Sequence, residues 1–243
     1  MSGPHLVYFA DPMCSWCWGF APVLEAIGAR FGAAVPVRVV MGGLRPGTTE
    51  PMTAARMAET RGHWNQVHAA SGQPFDPAFF ERDGFVYDTE PACRAVVVMR
   101  RHGLALEGLH RIQAAFYAAN RDVTSAAVLE AVAEEAGMAG AVFRAAFEGA
   151  RAETQEDFRL AAGAGVRGFP TLIAGTGVAG TGTSGTGTSG AGEDGTYRMV
   201  TNGFQPAEAI LPALERWVGQ NTHPPDTSVP KASTPAPTVA KPA

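Results

Sequence analysis

No apolar run in this sequence approaches the ~20 residues that a membrane-spanning helix needs. No basic stripe marks a nucleic-acid surface, and the net charge is a mild −4. Only three cysteines occur in 243 residues, which rules out a disulfide framework. The opening residues, Met1-Ser2-Gly3-Pro4-His5, lack a basic region, and the apolar stretch behind them is interrupted by Asp11. No secretory signal is therefore expected. Together these absences argue against membrane and nucleic-acid partners and for a cytoplasmic, reducing location. In that setting a cysteine pair serves catalysis or metal binding more often than structure. What is plentiful is apolar character: 46% of the residues are hydrophobic, enough for a substantial core.

Two of the three cysteines form a C-x-x-C, Cys14-Ser15-Trp16-Cys17, directly after the apolar run Leu6-Val7-Tyr8-Phe9-Ala10. This reads as a strand delivering a dithiol to a helix start. Free N–H groups and the positive end of the macrodipole stabilise a thiolate at such a place. Cys14 is the expected nucleophile and Cys17 the resolving thiol, exchanging through a mixed disulfide. Half of a zinc site is the competing reading. Zinc usually takes four protein ligands, and neither Cys93 nor His63, His68, His102 or His110 supplies a matching spacing, so no metal is expected.

Residues 5–10 and 35–41 read as buried strands, with a helix over 15–31 that contains Pro22, where a kink is expected. Residues 50 to about 163 read as almost wholly helical. Within them Thr89-Glu90-Pro91 marks a helix start and Thr124 an N-cap. Strand character returns at 170–174 and 197–201, before a closing helix over 206–218. Residues 175–195, with the tandem repeat Thr-Gly-Thr-Ser-Gly at 181–185 and 186–190, and the Pro/Thr/Ala-rich tail 220–243 cannot bury enough surface to fold.

Several further residues have a chemical reading and a plainer one. Met13 and Trp16 would form an apolar substrate rim, and Trp18 and Phe20 the core beneath it. Trp64, Phe75, Phe79, Phe80 and Phe85 read mostly as core, with one or two lining the groove. Asp11 could shuttle the Cys17 proton if burial raises its pKa, with Glu25 a weaker choice; the plainer reading is a turn residue before Pro12. Cys93 reads as a buried free thiol or a third redox thiol. Gly163, Gly165 and Gly168 spell G-x-G-x-x-G but lead into Phe169-Pro170, not into a helix, which removes the context that nucleotide binding needs. For Pro170 the residues alone favour trans, since only about 5% of X–Pro bonds are cis.

The run Gly165-Val166-Arg167-Gly168-Phe169-Pro170-Thr171-Leu172-Ile173 resembles the cis-proline segment of thioredoxin-fold proteins, and Pro22 matches the proline of their active-site helix. With the long helical block, the sequence resembles the DsbA-like superfamily. Asp11-Pro12-Met13-Cys14-Ser15-Trp16-Cys17-Trp18-Gly19-Phe20 and Met41-Gly42-Gly43-Leu44-Arg45, with the stretch from His63-Trp64 to Phe75, are similar to its cytosolic protein disulfide isomerase branch. The resemblance implies an α/β, thioredoxin-like fold with an all-helical insertion domain: 1–48 and 165–219 for the first, 49–164 for the second. It implies exchange on protein or peptide disulfides, Pro170 and Phe169 positioning the partner, and no cofactor unless glutathione serves as reductant or co-substrate. A glutathione-dependent transferase or isomerase of the kappa-type/2-hydroxychromene-2-carboxylate isomerase group is the alternative, and a non-catalytic peptide-binding adaptor a third reading. The oligomeric state is left open.

Overall fold

The strand β1 (His5–Ala10) is buried along its whole length, because its uninterrupted apolar run has helices on both faces. In the computed structural model, which describes residues 3–176, 190–192 and 195–221, β1 sits inside a five-stranded mixed sheet. The other strands are β2 (Val37–Met41), β3 (Thr171–Gly175), β4 (Gly190–Gly192) and β5 (Gly195–Asn202). Their order is β2-β1-β3-β5-β4. β1 runs parallel to β2 and antiparallel to β3.

Leu6, Tyr8 and Ala10 face one side, with Val39, Leu172 and Ala174, under α1 (Ser15–Phe31). Val7, Phe9 and Val40 face the other, against Ala161 and Leu160. Between β2 and β3 run α2 (Ala54–Ser71), α3 (Glu90–Arg100), α4 (Ala105–Tyr117), α5 (Ala126–Glu135), α6 (Gly140–Phe147) and α7 (Arg151–Gly163); α8 (Ala207–Asn221) closes the chain. Aromatic side chains fill the inserted helices: Trp64 packs on Phe79, Phe116 and Tyr117 with centroids 4.8, 6.0 and 5.1 Å away.

The α/β fold with its helical insertion is as expected, with four differences of detail. α7 falls inside 49–164 yet packs on the sheet, covering the face that carries Val7 and Phe9; Asp157 accepts the Met41 N–H at 2.9 Å and anchors Arg100 at 2.6 Å. Ser125, not Thr124, precedes α5, because the Thr124 hydroxyl is held by Asp122 in a local turn. The segment 175–195 is strand at both ends: Gly175 ends β3, and β4 pairs with the edge offered by β5. The closing helix runs past residue 218 to Asn221, whose side chain donates to the Trp217 carbonyl. The repeat from 181 to 189 and the tail beyond 221 lie outside the described residues.

α1 continues unbroken through Pro22. Proline has no N–H, so the Trp18 carbonyl one turn earlier loses its donor. Gln73 Nε2, two residues past the end of α2, donates to that carbonyl at 3.1 Å, and Trp18 Nε1 donates to the Pro74 carbonyl at 3.0 Å. The dithiol helix is thus tied to the insertion at the gap its own proline creates.

Candidate active site

Cys14 occupies the N-cap of α1 with extended backbone and no side-chain cap bond, and the first turn contains no acidic residue. The dipole end and the N–H groups there are left for a sulfur. Cys14 accepts the Cys17 and Trp18 amides through its carbonyl at 2.9 and 3.1 Å, which sets Cys17 one turn deeper. Both thiols are free. Cys14 keeps 7% of its surface exposed, whereas Cys17 keeps none. Burial, and then the adjacent Cys14 thiol, push the Cys17 thiol well above its ordinary value; the Asp11 backbone N–H acts in the opposite direction.

The second wall is the loop before β3. β3 lies antiparallel to β1 with Thr171 opposite Phe9, so Phe169 and Pro170 arrive beside the end of β1. The Phe169–Pro170 peptide is cis, and Cys14 Sγ lies 3.6 Å from the Phe169 carbonyl oxygen. Pro170 is buried, and its carbonyl accepts the Gly203 amide at 2.7 Å. The far end of the Phe169 ring abuts Gly42: a Cβ there would sit 1.9 Å from the ring, so any other residue would force the ring to move. Gly42 itself donates to the Ala10 carbonyl, and the chain then turns through Gly43 at a φ of 69°.

The rim differs from the expected one. Met13 is fully buried, because the Asp11 carboxylate holds its amide at 2.8 Å and the Tyr87 hydroxyl donates to its carbonyl at 2.6 Å; it supports the loop and offers no surface. Trp16 is half-buried, with its ring 5.5 Å from that of Phe204. Phe169 is half-buried and Leu44 is 41% exposed. Trp18 and Phe20 are core. Trp64, Phe79 and Phe85 are buried inside the insertion, in the cluster that also takes up Phe75 and Phe80.

Asp11 opens the turn before Cys14, its carbonyl accepting the Cys14 amide at 3.1 Å, and is fully buried there. Burial raises its pKa, against the lowering effect of the bonds it accepts from Leu44, Met13, Thr89 and Cys93. Its oxygens receive the Met13 amide, the Leu44 amide at 2.6 Å and the Cys93 thiol at 3.4 Å. The carboxyl is therefore turned to two loops and a third thiol, and reaches Cys17 only as a repelling charge. This geometry makes Asp11 a clamp on two loops, with its carboxyl bonded to the Cys93 thiol. Glu25 is exposed on α1. Cys93 is fully buried in α3. Gly163 ends α7 and Gly165 turns the chain at a φ of 71°, so the three glycines close a helix. Among the described residues no three His, Cys, Asp or Glu side chains group as a metal site, and no helix is long and apolar enough to cross a membrane.

Sequence reasoning missed Phe204 and the buried hydroxyls of Tyr8, Tyr87 and Tyr117. Phe204 follows a strand by a short loop whose placement depends on the Gly203–Pro170 bond, which no local pattern announces. Tyr8 shares the alternation of Leu6 and Ala10, and that alternation does point it towards α1.

The profile of the DSBA-like thioredoxin domain family matches residues 5–188. A candidate protein disulfide isomerase from Nitrosomonas europaea is 35% identical, with 90% of this chain and 98% of that one covered and a TM-score of 0.76. The cytosolic disulfide reductase DsbM from Pseudomonas aeruginosa is 31% identical, covering 70% of this chain and 83% of its own, with a TM-score of 0.60; it is also known in a structure with GSH. A curated relative, the ClpXP adapter protein SpxH of Bacillus subtilis (strain 168), is 24% identical over 137 residues, 55% of this chain. The match spans 45% of that protein's length. With most of its length matched by the family profile, this chain belongs to the DSBA-like thioredoxin domain family.

Proposed function

We propose that the protein is a thiol–disulfide oxidoreductase acting on protein or peptide disulfides through Cys14 and Cys17. The observation that carries this reading is the placement of Cys14 Sγ at the start of α1, 3.6 Å from the Phe169 carbonyl, with the Cys17 thiol directly behind it. Cys14, the more exposed thiol, attacks a substrate disulfide. The Phe169 and Pro170 backbone lines up the bound strand, and Trp16, Phe169 and Phe204 give it an apolar seat. Cys17 then attacks Cys14 and releases the reduced substrate.

Reduction is the favoured direction. DsbM, described as a cytosolic disulfide reductase, supports it, and its structure with GSH supports glutathione as the thiol that restores the dithiol here. A cytoplasmic location and independence from metal and organic cofactors belong to the same proposal. The test is reduction of a reporter protein disulfide, with and without glutathione, by wild type, Cys14→Ser and Cys17→Ser. The expected result is turnover by wild type alone, with Cys17→Ser trapped as a mixed disulfide. Glutathione conjugation or isomerisation that survives Cys17→Ser would replace this reading with the transferase or isomerase one. Absence of both activities would leave an adaptor use of the groove, the direction in which the SpxH relative points.

A further inference from the structure

Tyr8 lies at the centre of the sheet, paired with Val39 on one side and Leu172 on the other. Its side chain points to the α1 face. The ring stacks on Phe20 at 5.7 Å, with the planes 20° apart, and the residue is fully buried. Buried tyrosine hydroxyls normally find a partner. This one has no hydrogen-bond partner among the described residues; it shares the core on the α1 side with the Cys17 thiol, which is the strongest titratable influence on it. Phenylalanine would fill the same volume without a buried hydroxyl to satisfy.

We propose that Tyr8 is a further catalytic residue, its hydroxyl donating a hydrogen bond to the Cys17 sulfur as that sulfur becomes the attacking thiolate. This rests on the dithiol reading above. Resolution requires Cys17 to lose its proton in a place that disfavours the anion. Burial, the Cys14 sulfur and the Asp11 carboxylate all oppose it, and the Asp11 backbone N–H is the favourable contact from the β1–α1 loop. Tyr8 supplies a second such contact from β1. Tyr87 and Tyr117 stand on the Cys14 side, with the Tyr87 hydroxyl committed to the Met13 carbonyl. Burial, and then the Cys17 sulfur, hold the Tyr8 phenol well above its usual range, so it keeps its proton and acts as a donor, not as a base.

The step balances as an ordinary exchange. The Cys17 thiolate attacks the Cys14 sulfur of the mixed disulfide, and the Cys17–Cys14 bond forms. The bond from Cys14 to the substrate sulfur breaks. The substrate sulfur leaves with the electron pair and takes up a proton equivalent to the one Cys17 gave to solvent. The protein dithiol is oxidised and the substrate disulfide reduced.

The test uses reduced full-length protein carrying Cys93→Ala and an aryl disulfide that releases a coloured thiolate. Wild-type residues at 8, 14 and 17 should give two releases, the first from Cys14 attack and the second from Cys17 resolution. Tyr8→Phe should leave the first release unchanged and slow the second about tenfold, the scale of a lost hydrogen bond to an anion. The pH midpoint of the second release should also rise. Site-specific 3-fluorotyrosine at position 8, a stronger donor, should keep the second release at least as fast as wild type. Thermal unfolding of Tyr8→Phe should be no lower than wild type, since the hydroxyl it removes has no hydrogen-bond partner among the described residues while Cys17 is a thiol. A second release with wild-type rate and midpoint in Tyr8→Phe would overturn the assignment. So would slowing of both releases together with a lower unfolding temperature, which marks a structural role. A single release in the protein with Tyr8 intact would overturn the dithiol reading itself.

Discussion

Two helix starts in this molecule carry a cysteine, and they differ in nearly everything that governs a thiol. At the start of α1, Cys14 is the N-cap residue, leaves the first amides uncapped and reaches the surface beside the Phe169 carbonyl. At the start of α3, Cys93 lies inside the first turns after Thr89, Glu90 and Pro91, is fully buried and donates to Asp11. Burial, and then the Asp11 carboxyl, push the Cys93 thiol well above its ordinary value. Asp11 stands between the two, with its backbone N–H towards Cys17 and its carboxyl towards Cys93. A helix N-terminus alone does not make a thiol reactive; access and the charge of its neighbours decide.

Exchanging the roles of the two sites gives the largest contrast. Cys14→Ser should reduce disulfide exchange to background, whereas Cys93→Ala should leave it unchanged in the same reporter assay. Cys93→Ala should cost about 1–2 kcal/mol of stability, read by denaturant unfolding, through the lost sulfur and its bond to Asp11.

Next in size is Gly42→Ala, which puts a Cβ into the Phe169 ring. The ring must move, and the carbonyl beside Cys14 with it. An overpacking cost of about 1–3 kcal/mol and a roughly tenfold loss of exchange rate are expected, while the buried Cys93 thiol stays inert to an alkylating reagent.

Asp11→Asn sharpens the comparison at its shared residue. The folded carboxyl titrates above its unfolded value, so the folded state binds the extra proton. That contribution is fully present below about pH 4, the unfolded value, and is lost as pH rises through the raised folded value. Asp11→Asn should remove this slope from a plot of unfolding free energy against pH. It should also cost about 1–3 kcal/mol, since an amide offers one oxygen where Met13, Leu44 and Cys93 all donate.

The smallest effect is alkaline. Cys17 and Cys93 are both raised by burial, so stability should fall as pH rises above about 8.5, where unfolded thiols ionise. Cys93→Ala should weaken that slope, and oxidation of Cys14 with Cys17 should remove the remainder that Cys17 contributes.

The fold was legible wherever periodicity and punctuation agree. The apolar run of β1 and the spacing of Phe20, Val23 and Ile27 define the first strand and helix; Glu90-Pro91 marks α3. The dithiol was legible because its residue types are rare and local. The role of α7 was not, because its apolar positions look the same whether they meet other helices or a sheet. Met13 was misplaced for a related reason: a methionine beside a reactive pair reads as surface until Tyr87, 74 residues away, is seen to hold its carbonyl. Asp11 shows the limit most clearly. Its neighbours in sequence predict a turn, and the turn is there, but the carboxyl is used by Leu44 and Cys93.

The bond between Cys14 and Phe169 spans 155 positions of the chain, and Phe204 meets Trp16 from still farther along. Contacts of such long sequence separation form late and only when the intervening chain is in place. Positioning of a partner beside Cys14 is therefore a property of the finished fold. A nascent chain that has emerged only through α6 carries both cysteines but not the wall that selects and aligns a partner.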